Sequence, residues 1–125
     1  MTDLYLGIDL GTSGCRIIAI DENGTIHGQS SRALPAPLRN GDAVEQDPQL
    51  WWTAVQEALH DLLASLAGPT VRRIRAIAVD GTSATLLLTD AAGRPLGPAL
   101  MYHDARSAPQ AAQIKHIAPL ESGAH

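Results

Sequence analysis

The 125-residue chain is long enough to bury one hydrophobic core, and 45% of its residues are apolar. Its formal net charge of −4, with no run of Lys or Arg, lacks the basic surface that nucleic-acid binding requires. No apolar stretch approaches the roughly 20 residues needed to cross a bilayer, and the single Cys15 excludes an internal disulfide. We therefore expect one cytoplasmic domain that binds neither nucleic acid nor a membrane.

The first part of the chain predicts three consecutive antiparallel strands. "LYLGIDL" at 4–10, "RIIAID" at 16–21 and "TIHGQSSR" at 25–32 show the alternation or the β-branched content of strands. Asn23-Gly24, between the second and third strands, is a strong hairpin signal. The predicted unit is therefore an antiparallel meander.

A loop at 33–46, which carries two prolines, is predicted to lead into a helix over 48–66. Asp47 is the expected N-cap, and Pro48 occupies the first helical position. We expect both tryptophans to pack against the core or the helix rather than to bind a ligand. The apolar residues at helical spacing are Trp51, Trp52, Val55, Leu59, Leu62, Leu63 and Leu66.

The second half predicts a return to the sheet. "IRAIAVD" at 74–80 is expected to be a buried strand parallel to one of its neighbours, because a helix precedes it. Residues 84–102 predict a hairpin around "AAGRP", and a further helix is expected to begin near residue 107. The order β-β-β-α-β with an inserted hairpin indicates an α/β fold with a helix on at least one face of the sheet.

A glycine-rich turn joins the first two strands in "GIDLGTSGCR" at 7–16. Its glycines are expected to supply positive φ and to let a ligand approach the backbone. Successive N–H groups and the hydroxyls of Thr12 and Ser13 favour an anion such as phosphate. Arg16 is placed to reach a terminal phosphate, and Asp9 beside phosphate is consistent with Mg²⁺ between them. An ordinary hairpin loop with the same composition is the alternative interpretation.

Three stretches resemble known families. Residues 7–21 resemble the first phosphate motif of the actin-like, ribonuclease-H-fold ATPases, which include sugar kinases, Hsp70 chaperones and actin. "AVDGTSATLLLTDAAGRPLGPALMYHDARS" at 78–107 and "EQDPQLWW" at 45–52 resemble the FGGY family of carbohydrate kinases, in its D-ribulokinase and xylulokinase-like branch. The resemblance extends from residue 4 to about 107, and it implies a ribonuclease H-like sheet in an incomplete lobe.

The resemblance also implies a function and the residues that carry it. An FGGY kinase transfers phosphate from ATP, with Mg²⁺, to a sugar, so both cofactors and a sugar substrate are expected. Asp9 matches the metal-linked aspartate of the family. The matched residues form two groups: Asp9, Gly11, Thr12, Ser13 and Arg16 for the phosphates of ATP, and Asp80, Thr82, Ser83, Asp104 and Arg106 for the sugar.

The region matched to the sugar site departs from the family pattern at two positions. Tyr102 stands where many members have Trp, and the "DGTS" turn at 80–83 replaces the turns of xylulose and glycerol kinases. Short hydroxyl side chains in that turn favour a five-carbon ketose, D-ribulose ahead of D-xylulose. A salt bridge that closes the loop is the alternative explanation of Asp104 and Arg106. His103 is expected to be a solvated or hydrogen-bonded loop residue.

The general base of these kinases is missing from the sequence. In the family it is an aspartate in a Gly-Gly-Asp-type segment, and residues 107–125 contain nothing similar. Residues 1–125 are therefore expected to be a partial N-terminal lobe, inactive alone, whose partner is the rest of the kinase polypeptide; oligomerisation stays open. The alternative is a non-catalytic actin- or Hsp70-like nucleotide-binding or interaction fragment. A Gly-Gly-x-Asp segment encoded after residue 125 favours the kinase, and a stop codon there favours the fragment.

Overall fold

The computed structural model describes residues 1–117, which form two β-sheets and three helices. No helix in that part of the chain is both long enough and apolar enough to span a membrane. In chain order the elements are β1 (Leu4–Leu10), β2 (Gly14–Asp21), β3 (Ile26–Ala33), β4 (Leu38–Asn40), β5 (Ala43–Gln46), α1 (Pro48–Ser65), α2 (Gly68–Val71), β6 (Ile74–Gly81), β7 (Ala99–Leu100) and α3 (Ala108–Ile117).

The larger sheet has the strand order β3-β2-β1-β6. β1, β2 and β3 pair antiparallel, which confirms the predicted meander, and Gly24 takes a φ of 79° in the turn between β2 and β3. β6 pairs parallel with β1, as its position after a helix predicts. The register places Asp9 of β1 opposite Arg16 on one side and opposite Asp80 on the other.

The core lies between this sheet and α1. Alternate residues of β1 and β2 point toward the helix, because successive side chains of a strand face opposite sides of the sheet. Gly28 of β3 lets the helix come close, since a Cβ at that position would lie 2.9 Å from Cδ1 of Leu62. The buried cluster consists of Leu6, Ile8, Cys15, Ile17, Ala19, Leu34, Ala54, Ala58 and Leu62.

The predicted helix over 48–66 is confirmed as α1. The side chain of Asp47 accepts a hydrogen bond from the backbone N–H of Gln49 at 2.9 Å, which caps the first turn. Trp51 is partly buried against the core. Trp52 is 59% exposed and does not belong to the buried core, so of the two expected positions only packing along the helix remains for it. Neighbouring residues of a helix do not share a face, and only one of the two can point at the sheet.

The prediction of a loop at 33–46 is wrong in its second half. Residues 38–46 form the β4-β5 hairpin, which turns at Gly41 with a φ of 59°. β5 also pairs with β7, and the three strands make the smaller sheet, β4-β5-β7. These strands are short and partly polar, so their hydrophobic pattern is too weak to identify them.

The predicted hairpin at 84–102 forms through two isolated antiparallel bridges rather than two regular strands. Leu86 pairs with Leu100, and Thr89 pairs with Pro95. α3 begins at Ala108, close to the predicted residue 107. The end of that predicted helix, after residue 117, lies outside the described residues.

The expectation that the strand at 74–80 is buried is wrong. Ile77 is 54% exposed and Val79 is 70% exposed, because α1 covers β1, β2 and β3 and does not extend over β6. An aliphatic strand indicates that burial is favourable, but the covering element has to be supplied by some other segment.

Candidate functional site

Asp9, Arg16 and Asp80 lie side by side on three adjacent strands. Their in-register pairing puts the three side chains on one face of the sheet, and the burial of Ile8 and Ile17 under α1 shows that this is the opposite face. All three residues are exposed and line one cavity of about 270 Å³. Two carboxylates and one guanidinium therefore surround the end of the sheet next to the glycine turn.

The glycine turn joins β1 to β2 next to this region, and its Ser13 lines a further cavity together with Asp9 and Arg16. Gly11 donates to the carbonyl oxygen of Gly14 at 2.9 Å, and Leu34 donates to the carbonyl oxygen of Ser13 at 2.8 Å. Within residues 1–117, no acceptor is bonded to the backbone N–H of Thr12 or Ser13. Two N–H groups and two hydroxyls are thus available to a ligand, as the anion-binding interpretation requires.

Gly14 is needed for close approach, and neither Gly11 nor Gly14 has the positive φ expected from the sequence. The positive-φ glycines of the described chain lie in three other turns, at 24, 41 and 93. A Cβ at Gly14 would lie 2.8 Å from the carbonyl oxygen of Arg32 on β3. Only glycine fits between the turn and that backbone without displacing it.

A second cavity, of about 150 Å³, joins the glycine turn to the turn that follows β6. Thr82 donates a hydrogen bond from its hydroxyl to that of Thr85 at 2.9 Å, whereas Ser83 is exposed. Ala84 has a φ of 57°, so this turn includes one left-handed, strained residue. The lining residues are Leu10, Gly11, Thr12, Gln46, Trp51, Gly81, Thr82, Thr85, Leu87 and Met101.

Asp80 lines a different cavity from Thr82, Asp104 and Arg106, the other residues assigned to the sugar that line a cavity. It is on β6, one residue before the end of the strand, and its carboxylate accepts from the N–H of Gly81 at 2.9 Å. The structure groups it with Asp9 and Arg16, while Thr82 shares a cavity with Thr12.

Asp104 and Arg106 form the ion pair that the alternative interpretation predicts. Nη2 of Arg106 lies 2.7 Å from Oδ2 of Asp104 and 2.8 Å from Oε1 of Glu45. Oδ2 of Asp104 also accepts from the backbone N–H of Val44 at 2.8 Å. The hydrogen bond from Arg106, followed by that from Val44, holds the pKa of the Asp104 carboxyl well below its ordinary value. Both residues line an open groove with Tyr102.

His103 differs from its expected environment. Its Nδ1 atom is buried and has no hydrogen-bond partner within residues 1–117. The ring packs against Tyr102, with the two ring centroids 4.4 Å apart. A solvated or hydrogen-bonded histidine is therefore the wrong description of this nitrogen.

Gln46 and Trp51 are site residues that were not predicted from the sequence to line the site. They line the cavity between the two turns, and Gln46 is 3% exposed. The signal was present in the "EQDPQLWW" stretch, which supported the family resemblance without indicating a function for either residue.

The residues present fit a magnesium-bound phosphate. No group of three or more His, Cys, Asp and Glu side chains in the described part of the chain makes a ready-made metal site. Asp9 and Asp80 supply carboxylate oxygens from neighbouring strands, and Mg²⁺ is commonly held by one or two carboxylates together with waters and phosphate oxygens.

Residues 4–122 match the model of the FGGY family of carbohydrate kinases, N-terminal domain. The chain belongs to this family. The xylulose kinase of Streptomyces coelicolor is 35% identical to it over 111 residues, covering 89% of this chain and 22% of that protein. The xylulose kinase of Escherichia coli K12 is 32% identical over 120 residues, covering 93% of this chain and 23% of that protein. This chain thus spans about a quarter of the length of these relatives.

Solved FGGY structures confirm the fold. A xylulose kinase from Brucella ovis superposes with a TM-score of 0.83 at 32% identity, over 91% of this chain and 24% of that one. The xylulose kinase of Rhodospirillum rubrum superposes with a TM-score of 0.82 at 23% identity, over 95% of this chain and 24% of that one. The larger sheet is therefore the ribonuclease H-like, actin-like ATPase sheet implied by the resemblance.

Proposed function

We propose that this chain is the phosphate- and sugar-contacting part of an ATP-dependent kinase for a five-carbon ketose. The observation that carries the proposal is the convergence of Asp9, Arg16 and the open N–H groups of Thr12 and Ser13 at one end of the sheet. Similarity to xylulose kinases supports the substrate class.

The glycine turn is the proposed site of the ATP phosphates. The N–H groups and hydroxyls of Thr12 and Ser13 donate to phosphate oxygens, and Arg16 offsets the charge of the transferring phosphoryl group. Asp9, with Asp80 beside it, would hold Mg²⁺, which would neutralise phosphate charge when bound. Positioning and charge stabilisation supply most of the catalysis in phosphoryl transfer, and these residues contribute both.

The sugar is proposed to lie on the other side of Asp80. Thr82 and Ser83 offer hydroxyls in the turn after β6, and Asp104 and Arg106 offer charged groups at the neighbouring groove. A site of this chemistry selects a polyol by its hydroxyl pattern, which excludes glycerol as a good substrate. The short side chains of the turn place D-ribulose ahead of D-xylulose in the proposal.

The proton acceptor for the sugar hydroxyl is proposed to lie in the rest of the kinase polypeptide. This chain spans about a quarter of its relatives, and residues 107–125 resemble no general-base segment. The 125-residue chain is therefore proposed to be inactive alone. Sugar-dependent ADP release by the purified chain, in the presence of Mg²⁺, would contradict this part of the proposal.

Substrate profiling of a kinase polypeptide that carries this sequence tests the proposed activity. We expect kcat/KM to be highest for D-ribulose or D-xylulose, with L-ribulose lower and glycerol lowest. Asp9→Ala is expected to abolish phosphoryl transfer without unfolding the protein, and Glu22→Ala, at an exposed hairpin position, is the matched control. If glycerol proved the best substrate, or if Asp9→Ala kept most of the activity, the proposal would be wrong.

A further inference from the structure

Gln46 connects the second sheet to the glycine turn through a buried amide. Its Nε2 group donates to the carbonyl oxygen of Pro35 at 2.8 Å and to that of Thr12 at 3.3 Å. Its Oε1 atom accepts from Nε1 of Trp51 at 2.7 Å. The side chain is almost completely buried, so these three bonds replace the water that it loses on folding.

The partners determine which way the amide faces. The indole of Trp51 can only donate, so it must meet the oxygen of the amide, and both carbonyl oxygens must then meet the NH₂ group. Neither a carboxylate nor an apolar side chain can satisfy this arrangement. A glutamate at position 46 would place a second oxygen against the carbonyls of Thr12 and Pro35.

The bond to Thr12 acts on a group that faces the proposed phosphate. The carbonyl of Thr12 and the N–H of Ser13 belong to one planar trans peptide and point in opposite directions. A hydrogen bond that holds the carbonyl toward Gln46 therefore aims the Ser13 N–H away from Gln46, on the side left open to a ligand.

We propose that Gln46 is a positioning residue for the phosphate turn. It acts by fixing the orientation of the peptide between Thr12 and Ser13. The inference rests on the proposed function of that turn. Gln46 itself needs no contact with ATP, and Trp51 supports it by holding the amide oxygen.

β5, which carries Gln46, also contacts the loop that is proposed to bind the sugar. Gln46 occupies one end of the strand, while Val44 and Glu45 contact Asp104 and Arg106. One short strand thus holds both the phosphate turn and the loop proposed to meet the sugar. A change at Gln46 should affect the phosphate side alone, since the contacts of Val44 and Glu45 do not pass through its side chain.

The test uses the ¹⁵N-labelled 125-residue chain with Gln46→Met and Gln46→Glu, and with Gln56→Met at an exposed position of α1 as the control. We expect the order parameter of the Ser13 amide to fall from about 0.85 to below about 0.6 in both Gln46 variants, while amides of the β1-β2 ladder keep theirs. The dissociation constant for magnesium tripolyphosphate, followed at the Ser13 amide, should rise about tenfold. Gln56→Met should change neither quantity.

Trp51→Phe is the milder variant, because it removes the Nε1 donor and keeps an aromatic ring. It should loosen the same amide and weaken tripolyphosphate binding about threefold, and it remains informative if a Gln46 variant does not fold. Unchanged Ser13 order and unchanged affinity in these variants would overturn the inference. If the wild-type chain does not bind tripolyphosphate at Ser13, the proposed phosphate site fails, and the order parameters still show whether Gln46 positions the turn.

Discussion

The first half of the chain, from β1 to α1, and the second half, from β6 to α3, carry similar aliphatic side chains but bury them to different extents. Every member of the buried cluster lies between Leu6 and Leu62, where α1 packs on β1, β2 and β3. From β6 onward, large apolar residues such as Ile77, Val79 and Leu88 remain exposed. The first half builds its own core, whereas the described residues of the second half bury few apolar side chains, Ala99 and Met101, and are attached by strand pairing to β1 and β5. In the proposed kinase, the rest of the polypeptide would cover β6.

Truncation of a core side chain should give the largest difference between the halves. Leu62→Ala removes a fully buried side chain and should lower the free energy of unfolding by about 2–5 kcal/mol. Val79→Ala removes an exposed side chain and should change it by less than about 0.5 kcal/mol. Urea unfolding of the chain measures both, and equal losses would show that β6 is covered in solution.

Adding a methyl group at a glycine should give the second largest difference in unfolding free energy between the two halves. Gly28→Ala places a Cβ 2.9 Å from buried Leu62 and should cost about 1–3 kcal/mol. At Gly97 a Cβ would meet nothing within 4 Å, so Gly97→Ala is the matched control and should be close to neutral. A neutral Gly28→Ala would indicate that α1 does not pack tightly on β3.

Lowering the pH should reduce the stability of the first half, because it protonates the Asp21 carboxyl. A hydrogen bond from Nε2 of His27, assisted by the N–H groups of Thr25 and Asn23, lowers the pKa of this carboxyl below its ordinary value of 3.8. Since the folded-state pKa is the lower one, the stabilisation is complete above pH 3.8 and is lost as the pH falls below it.

Asp21→Asn should therefore reduce the acid dependence of global unfolding. Asp90→Asn is the comparison in the second half, where the backbone N–H and then the guanidinium of Arg94 lower the pKa of the Asp90 carboxyl. It should alter the local hairpin signals and leave global unfolding unchanged. Urea unfolding at several pH values measures this acid dependence. If Asp90→Asn reduced it more than Asp21→Asn, the conclusion that global stability depends on the first half would be wrong.

The smallest effect is expected at Ala84. Its φ of 57° is unfavourable for any residue with a Cβ, and Ala84→Gly should relieve up to about 1 kcal/mol of strain. Because the turn lies in the second half, the gain should appear in the local stability of residues 81–86, measured by hydrogen exchange. A loss of local stability would show that the left-handed conformation is not retained in solution.

The local elements were largely predictable from the sequence. Alternation in 4–10, the Asn23-Gly24 turn and the Asp47-Pro48 start of α1 depend on neighbouring residues, so their patterns can be recognised directly. The family was also recognisable, because the glycine turn pointed to the actin-like ATPases and the stretch at 78–107, which ends in "YHDARS", pointed to the FGGY branch. The smaller sheet escaped prediction, since β5 is defined by its pairing with the distant β7.

By itself, the sequence determined the order of strands and helix in the larger sheet, the family and the chemical types available at the site. The tertiary structure alone decided which of those groups meet. Parallel pairing of β1 with β6 brings Asp80 to Asp9 across 71 positions of the chain, and the buried amide of Gln46 reaches Thr12 from the other sheet. Such contacts depend on register and on the packing of distant segments, and no local pattern encodes them.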